Sequence, residues 1–382
     1  MDFSLPRKLL LRALDAARTV ADSSSSMPIL KTVHVAASRA EITLTASDLV
    51  LTYRATLPAA VRTAGSVCVP AGILRDVVAR MGDGDVRIAV EKTGVTVRGQ
   101  GVRAAAKLPA IPGEDYVTTP RAEDLSARQT RTMPASALAD VRRLTRCAMS
   151  TDSTRPHLAA TLFDLTSDTL RAVTTDGHRL VVATREIPRY TGAAVKLLVP
   201  AASLARMSLP DAGDITIEHG TMRDPIWVTC AVEGTPGASV TWSTKLVDAA
   251  FPSYEQVVPQ SWSGHVECAR ADLIDALSAC ASVAQDRTGG VRLRPRETGL
   301  AMDSENPDAG SVSDVVDAIC TGVLPKCWGV NSTYMIQALS ALTGDRVKLQ
   351  LSGALDPARI VCADEGDRYV AVIMGMRTGE SE

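Results

Sequence analysis

The chain opens with a strand-to-helix pattern, Phe3-Ser4-Leu5-Pro6 followed by Leu10. The pattern joins a short strand, a small or imino residue and a helix with leucine four residues on, and it returns at Arg131-Thr132-Met133-Pro134…Leu138 and Val266-Glu267-Cys268-Ala269…Leu273. A second series runs in step, and each member leads to a Gly-Asp turn before a new strand: Val69-Pro70…Leu74, Val199-Pro200…Leu204 and Val330-Asn331…Met335. Two independent markers that share a period of about 130 residues predict three copies of one domain.

Strand patterns dominate between the predicted helices. Alternating runs such as Glu41-Ile42-Thr43-Leu44-Thr45 indicate about eight strands per copy in sequential antiparallel order. With two helices per copy, the predicted fold class is α+β, with the helices on one face of the sheets. Polar, Pro-containing linkers at 118–129 and 258–264 predict domains at 1–127, 128–262 and 263–382.

Composition indicates a globular protein. The chain has 382 residues, 46% of them hydrophobic and 22% charged, with no apolar run of the roughly 18 residues that a membrane span needs. The start lacks the pattern of a signal peptide, so we expect a cytoplasmic protein. The eight cysteines form no C-x-x-C pair and the five histidines are isolated, so we expect reduced, buried thiols and neither a metal nor a cofactor.

The net charge of −2 argues against a strong general attraction to nucleic acid. The faces of the first two predicted long helices are nevertheless basic away from their apolar stripes, with Lys8 and Arg12 on one and Arg142, Arg143 and Arg146 on the other. Two interpretations remain open: ordinary solvated helix faces, or a surface that holds duplex DNA weakly and without sequence preference.

A polar motif, Thr175-Asp176-Gly177-His178-Arg179-Leu180, lies between two predicted strands of the second copy. Its Asp, His and Arg side chains are suited to acid/base catalysis. Asp-Gly is also a strong turn dipeptide, and no nucleophile, metal cluster or phosphate loop accompanies it. The motif therefore favours a structural turn over an active site.

Several motifs together carry a family resemblance. They are the turn motif, Met27-Pro28-Ile29-Leu30, Ser243-Thr244-Lys245-Leu246-Val247-Asp248, Phe251-Pro252-Ser253-Tyr254 and Tyr369-Val370-Ala371-Val372-Ile373-Met374-Gly375-Met376-Arg377. Over its whole length the chain resembles the bacterial DNA polymerase III beta subunit family, the replication sliding clamps. The resemblance implies a non-enzymatic processivity factor: a head-to-tail homodimer that closes a ring around duplex DNA, with helices lining the hole. It also implies that sheet edges at 103–108 and around 281–287 meet when the ring closes.

The resemblance also locates the functional pocket. A groove on the second domain, beside the C-terminal tail, is expected to bind short apolar peptides of the replicative polymerase, the clamp loader and repair proteins. The matching positions are Leu158, Thr175, Gly177, His178, Arg179, Leu180, Pro252, Val257, Val372, Met374, Met376 and Arg377. The basic helix faces, with Arg155 added, supply the expected DNA-facing residues: Lys8, Arg12, Arg142, Arg143, Arg146 and Arg155.

The chain departs from the family pattern in its tail and in one loop. Gly375 stands where proline is usual and Thr378 where leucine is usual, and Gly379–Glu382 extend the end. Because glycine frees the backbone that proline fixes, a more mobile pocket wall is expected. The loop Ala21–Ser26 lacks the basic residues that relatives often place near DNA. Lineage drift and a specialised second clamp that tolerates a pocket-binding inhibitor remain alternatives, as does a scaffold that never encloses DNA.

Overall fold

The computed structural model describes residues 1–21, 23–91, 94–125, 127–152, 154–221, 224–284 and 289–378. The extension Gly379–Glu382 and Asp22 of the N-terminal loop, both singled out from the sequence, lie outside this range. The described residues form six α-helices: α1 (Arg7–Val20), α2 (Ala71–Ala79), α3 (Ala135–Thr145), α4 (Ala201–Arg206), α5 (Arg270–Ala281) and α6 (Ser332–Ala341).

Twenty-six strands account for most of the remaining ordered backbone in the described ranges. In the first copy they are β1 (Asp2–Pro6), β2 (Thr32–Ser38), β3 (Glu41–Ser47), β4 (Leu51–Pro58), β5 (Ala60–Thr63), β6 (Gly65–Pro70), β7 (Asp85–Glu91), β8 (Gly94–Gly99), β9 (Ala105–Leu108) and β10 (Ile111–Pro112). In the second they are β11 (Gln129–Pro134), β12 (Ala160–Leu165), β13 (Thr169–Thr175), β14 (Arg179–Glu186), β15 (Val195–Pro200), β16 (Asp214–His219), β17 (Ile226–Ala231) and β18 (Ser239–Thr244). In the third they are β19 (Gly264–Ala269), β20 (Gly290–Arg296), β21 (Gly299–Asn306), β22 (Gly310–Gly322), β23 (Trp328–Asn331), β24 (Arg346–Leu351), β25 (Ala358–Cys362) and β26 (Gly366–Ile373).

Short 3₁₀ helices lie in the loops between these elements. They span Pro28–Lys31, Gly113–Asp115, Ala122–Asp124, Arg146–Ala148 and Tyr254–Gln256.

The predicted repeat is confirmed. Each marker of the first series is a strand that ends one residue before a helix: β1 before α1, β11 before α3 and β19 before α5. The second series behaves in the same way, with β6, β15 and β23 running directly into α2, α4 and α6. The second and third copies have the eight strands expected, and the first has ten in the described ranges because β5 and the two-residue β10 are added.

The chain divides into two compact units whose limits cut across the repeat. Unit 1 comprises Met1–Ser136 with Ala202–Asp248, and unit 2 comprises Ala137–Ala201 with Ala249–Glu382. Unit 1 contains a five-stranded sheet, β5-β1-β7-β8-β9, and a nine-stranded sheet, β10-β6-β2-β3-β4-β18-β17-β16-β11. Unit 2 contains a twelve-stranded sheet, β15-β12-β13-β14-β26-β25-β24-β19-β22-β21-β20-β23.

Sheets continue from one copy into the next inside each unit. In unit 1, β4 of the first copy pairs antiparallel with β18 of the second, with Ala55 opposite Val240. In unit 2, β14 of the second copy pairs in the same way with β26 of the third, with Ala183 opposite Tyr369. Every strand pair of the described sheets is antiparallel, as the sequential order predicts.

The helices pack through narrow aliphatic stripes. α1 buries the predicted set Leu10, Ala13, Leu14, Ala17 and Val20. The few aromatic side chains reinforce the sheets from inside, as where the ring of Tyr53 lies 4.8 Å from that of Trp242 across the β4–β18 pair. Burial of these apolar stripes supplies the main driving force for folding.

Of the two segments expected at sheet edges, one is an edge strand and the other is not one where it is described. β9 (Ala105–Leu108) is an edge strand of the five-stranded sheet, so the first segment has free backbone groups along one side. The second segment is not an edge strand where it is described, because Ala281 is the last residue of α5 and 282–284 form a turn. Its remaining residues, 285–287, lie outside the described ranges.

No helix of the described residues is long and apolar enough to cross a membrane. The same residues contain no group of three His, Cys, Asp or Glu side chains placed to hold a metal ion. All eight cysteines are free thiols, and five of them are buried.

Two histidines make the stability of unit 1 depend on pH. His219 is 1% exposed, and burial lowers its pKa; burial together with Arg54 lowers the pKa of His34. In the unfolded chain both imidazoles have a pKa of about 6.5, above their pKa in the folded state. As the pH falls through this range, the unfolded state therefore binds more protons than the folded state, and unfolding becomes more favourable. The midpoint of thermal unfolding should therefore fall as the pH is lowered from about 7.5 to about 5.5. In the variant His219→Gln this fall should be shallower, and an unchanged slope would contradict the assignment.

Candidate functional site

A cavity in unit 2 gathers the residues that the sequence singled out. Its volume is ≈ 190 Å³, and it lies where β13 ends, β14 begins and β26 ends, beside the loop before β19. The lining consists of His157, Leu158, Thr175, Gly177, Arg179, Leu180, Pro252, Tyr254, Val257, Val372 and Met374. Three segments far apart in sequence therefore converge on one site.

The turn between β13 and β14 is held by its own side chains. One carboxylate oxygen of Asp176 accepts the backbone N–H groups of His178 (2.9 Å) and Arg179 (3.0 Å). The hydroxyl of Thr175 donates to the carbonyl of Arg179 at 2.7 Å, and Gly177 adopts a φ of 94°, which favours glycine. The motif is thus a rigid β-turn with an Asx bond, and it fixes one rim of the cavity.

Arg179 is anchored by the third copy. Its Nε lies 3.0 Å from the carboxylate of Asp176, and its Nη1 donates to Oε1 of Gln337 in α6 at 2.7 Å. The guanidinium also stacks on the ring of Tyr334, 4.3 Å from the ring centre. With these partners the arginine side chain is only 9% exposed, and it serves as a wall of the cavity.

The C-terminal tail forms the opposite wall. β26 pairs with β14 so that Val372 lies opposite Leu180, and the N–H of Met374 extends the ladder by donating to the carbonyl of His178 at 3.1 Å. Two residues later the chain turns towards β23, where the N–H of Met376 donates to the carbonyl of Gly329 at 2.9 Å. Met374 therefore faces the cavity, and Met376 is bound to another strand.

The cavity is mainly apolar. Leu180, Val372 and Leu158 are buried, and Met374 is 40% exposed at its mouth. An apolar recess with a flexible methionine at its mouth suits an aliphatic or aromatic side chain of a partner, because methionine adapts to varied shapes. The carboxylate of Asp176 is engaged by the N–H groups of the turn and by the guanidinium of Arg179.

Nine of the twelve predicted pocket residues line the cavity, and three do not. The ring of His178 is stacked 6.4 Å from that of Tyr334, the N–H of Met376 donates to β23, and Arg377 is exposed. His157 and Tyr254 line the cavity but were missed. Tyr254 belongs to the quoted motif Phe251–Tyr254, and His157 precedes Leu158, so the signal was proximity to residues already chosen.

The six predicted DNA-facing residues are distributed over both units. Lys8 and Arg12 are exposed on α1, and Arg142, Arg143 and Arg146 lie on α3 and the turn after it. Burial lowers the pKa of Arg142, and the nearby positive charge of Arg146 lowers it further. Arg155 is exposed and paired with Asp152 at 2.8 Å, so its charge is partly neutralised.

Gly375 has a packing reason in this chain. A Cβ at this position would lie 2.9 Å from the carbonyl carbon and 3.0 Å from the Cα of Leu355, closer than real Cβ atoms approach. The backbone of the tail therefore runs against the loop before β25 at a distance that only glycine permits. The expected mobility of this wall stays a prediction.

The variant Gly375→Ala should be destabilised by about 1–3 kcal/mol, because the added methyl group forces the tail and the Leu355 backbone apart. Thermal unfolding followed by circular dichroism measures the loss. Gly72→Ala is the matched control: a Cβ on Gly72 in α2 meets nothing within 4 Å, so this variant should be neutral or slightly stabilised. Equal stability of the two variants would contradict the packing argument.

Comparison with known proteins agrees with this architecture along the whole chain. Three family models, described as the N-terminal, central and C-terminal domains of the DNA polymerase III beta subunit, match residues 1–120, 132–253 and 255–377. The beta sliding clamp of Vibrio cholerae is 27% identical over 99% of this chain and 100% of its own.

Solved structures of related proteins have the same fold. The sliding clamp of Bacillus subtilis superposes with a TM-score of 0.90 at 21% identity, covering 99% of each chain. The DNA polymerase III subunit beta of Pseudomonas aeruginosa superposes with a TM-score of 0.87 at 26% identity, covering 99% of this chain and 100% of that one. With three copies of one fold and all three domain models matched in order, the chain belongs to the DNA polymerase III beta subunit family.

Proposed function

We propose that the protein is a DNA sliding clamp, an accessory subunit that tethers the replicative polymerase to duplex DNA and catalyses no reaction itself. The observation that carries this proposal is the match of all three beta-subunit domains across residues 1–377. Relatives that align with nearly the full chain are named beta sliding clamps. Its place of action is the cytoplasm, at the replication fork.

The clamp acts as a head-to-tail homodimer in which two chains of three copies close a ring. Support comes from the free edge of β9, whose unpaired backbone groups are a hazard for aggregation unless a partner strand covers them. A head-to-tail contact that closes after two chains covers such an edge without producing a filament.

Imaging of single particles, combined with sedimentation at low concentration, tests this assembly. The expected particle is a hollow disc with six similar segments and the mass of two chains. A stable, elongated monomer would instead favour a scaffold that binds partners without enclosing DNA.

The ring holds DNA weakly through basic helix faces. Lys8 and Arg12 on α1 and the cluster Arg142, Arg143 and Arg146 supply positive charge in a chain whose net charge is −2. Contacts to phosphates are independent of sequence and are weakened by salt, so they allow sliding. Arg155 contributes less, because Asp152 neutralises it.

The cavity of unit 2 binds short apolar peptide segments of the polymerase, the clamp loader and repair proteins. Its support is the set of nine predicted residues that meet around it, with aliphatic walls and a rim fixed by the Asp176 turn. Recognition of this type places one or two apolar side chains in the recess and leaves the peptide backbone at the rim.

A further inference from the structure

A groove lies beside the proposed peptide cavity of unit 2. Its volume is ≈ 390 Å³, within the range of ligand pockets in proteins, roughly 300–1,000 Å³. The side chain of Tyr254, which is 4% exposed, lines both the groove and the cavity. The two spaces therefore share a wall, and a segment bound in the cavity has the groove next to it.

The floors of the two spaces lie along the same two strands. Leu180 of β14 lies opposite Val372 of β26, and both line the cavity. Val182 lies opposite Val370 on the same strands, and both line the groove. Side chains two residues apart on a strand point to one face and are about 7 Å apart. The groove thus continues the cavity along the sheet, at a distance that a few residues of extended peptide can span.

The lining of the groove differs in chemistry from that of the cavity. Trp262 is 40% exposed, and the guanidinium of Arg359 lies 5.2 Å from the centre of its ring. Arg359 is fixed in place, because it donates to Oε1 of Gln350 at 2.5 Å and pairs with Asp367. Tryptophan, tyrosine and arginine are the side chains that contribute most to binding at protein interfaces.

Arg171 of β13 is the second guanidinium of the groove, and it forms no salt bridge with the described residues. It donates to the phenol oxygen of Tyr254 at 3.3 Å. The carboxylates of Asp164 and Glu255 act on it from a distance, but they lie 3.9 and 3.4 Å from Nζ of Lys196. Because a guanidinium has five N–H donors in a planar fork, Arg171 has donors left for a carboxylate of a ligand.

We infer that the groove is a second subsite for the peptide that occupies the cavity, and that it takes an aspartate or glutamate side chain two to four residues from the apolar anchor. The stem of this side chain packs on Val182 and Val370 beside the ring of Trp262, and its carboxylate accepts hydrogen bonds from Arg171. The inference rests on the proposed binding of peptides by unit 2. It adds which partner segments bind best: those with an apolar anchor and an acidic residue close to it.

Three kinds of labelled peptide test the subsite on the full-length protein by fluorescence polarisation. The first is a short apolar peptide of the replicative polymerase that contains only the anchor. The second extends the anchor with glycine and serine and one glutamate, placed two, three or four residues away on either side, and the third has glutamine in place of that glutamate. On one side of the anchor, the glutamate peptide should bind at least about threefold more tightly than its glutamine match. This advantage should shrink as salt is added.

The variant Arg171→Met assigns the effect to one side chain. It should abolish the difference between the glutamate and glutamine peptides, because the guanidinium is lost while most of the apolar stem is kept. The affinity for the anchor peptide should stay within about twofold of the wild type, which shows that the cavity is still folded. Arg189→Met is the matched control: Arg189 is exposed and lines neither space, so this variant should keep the difference.

The possible outcomes separate this inference from the proposed function. If the anchor peptide binds but glutamate gives no advantage at any position, the second subsite is refuted and peptide binding by the cavity stands. An advantage that persists in Arg171→Met would mean that the carboxylate binds elsewhere, and the groove would lose its assigned role. If the anchor peptide does not bind the wild-type protein at all, the proposed peptide site fails and this inference fails with it.

Discussion

Once it is loaded onto DNA, the proposed ring should remain on closed circular duplex at least ten times longer than on the same duplex cut once. The expected difference follows from enclosure: a ring leaves closed DNA only by opening, but slides off a free end. Direct grip cannot substitute for enclosure here, because the net charge is −2 and Arg143 and Arg155 have acidic partners. Phosphate contacts of this kind weaken steeply with salt.

Gel filtration of labelled protein on nicked plasmid, before and after a single restriction cut, measures the two lifetimes. Moderate salt should leave retention on the circle nearly unchanged, since topology does not depend on ionic strength. A bulky protein bound at each end of the linear duplex is the control and should restore retention. Equal lifetimes on circular and linear DNA would refute enclosure and would favour the scaffold alternative.

The variant Val257→Asp should lower the affinity for an apolar peptide of the replicative polymerase by about 2 kcal/mol, roughly thirtyfold. Val257 lines the cavity of unit 2, and a carboxylate there must lose water without gaining a partner when an apolar side chain enters. Val257 lies in a loop and is only half-buried, so the fold should tolerate the change.

Val258→Asp is the matched control. The neighbouring valine is equally half-buried but lines a separate groove with Trp262 and Arg359. Fluorescence polarisation with a labelled peptide should therefore show an affinity close to that of the wild type for this variant. If both substitutions weakened binding alike, the effect would be a general disturbance of the loop, and the cavity would lose its assigned role.

The sequence predicted the repeat and the turn because both are local patterns. The strand-to-helix junctions at Pro6, Pro134 and Ala269 lie where expected, since a strand, a small residue and a helical stripe can be recognised in one short window. The turn at Asp176 is likewise a local pattern, because its Asp-Gly dipeptide is itself a turn signal. Most of the pocket followed from the family resemblance.

Other features could not be predicted from the sequence, because they depend on contacts between residues that are far apart in the chain. Met376 leaves the pocket because its N–H is bound to Gly329, a residue 47 positions earlier in the chain. The need for glycine at 375 arises from the backbone of Leu355, 20 positions earlier in the chain. Long-range packing, and not local propensity, decides each of these cases.

The hydrogen-bonded seams β4–β18 and β14–β26 have a consequence for dissection of the molecule. A single repeat cut out at its linkers would have an exposed edge strand. The backbone amide and carbonyl groups of that strand normally form hydrogen bonds with the neighbouring repeat. Excised repeats should therefore aggregate or pair with each other, and a fragment of two consecutive repeats would still leave one of the two strand pairs open. Gene fusions and truncations that respect the linkers but split a seam will fail for the same reason.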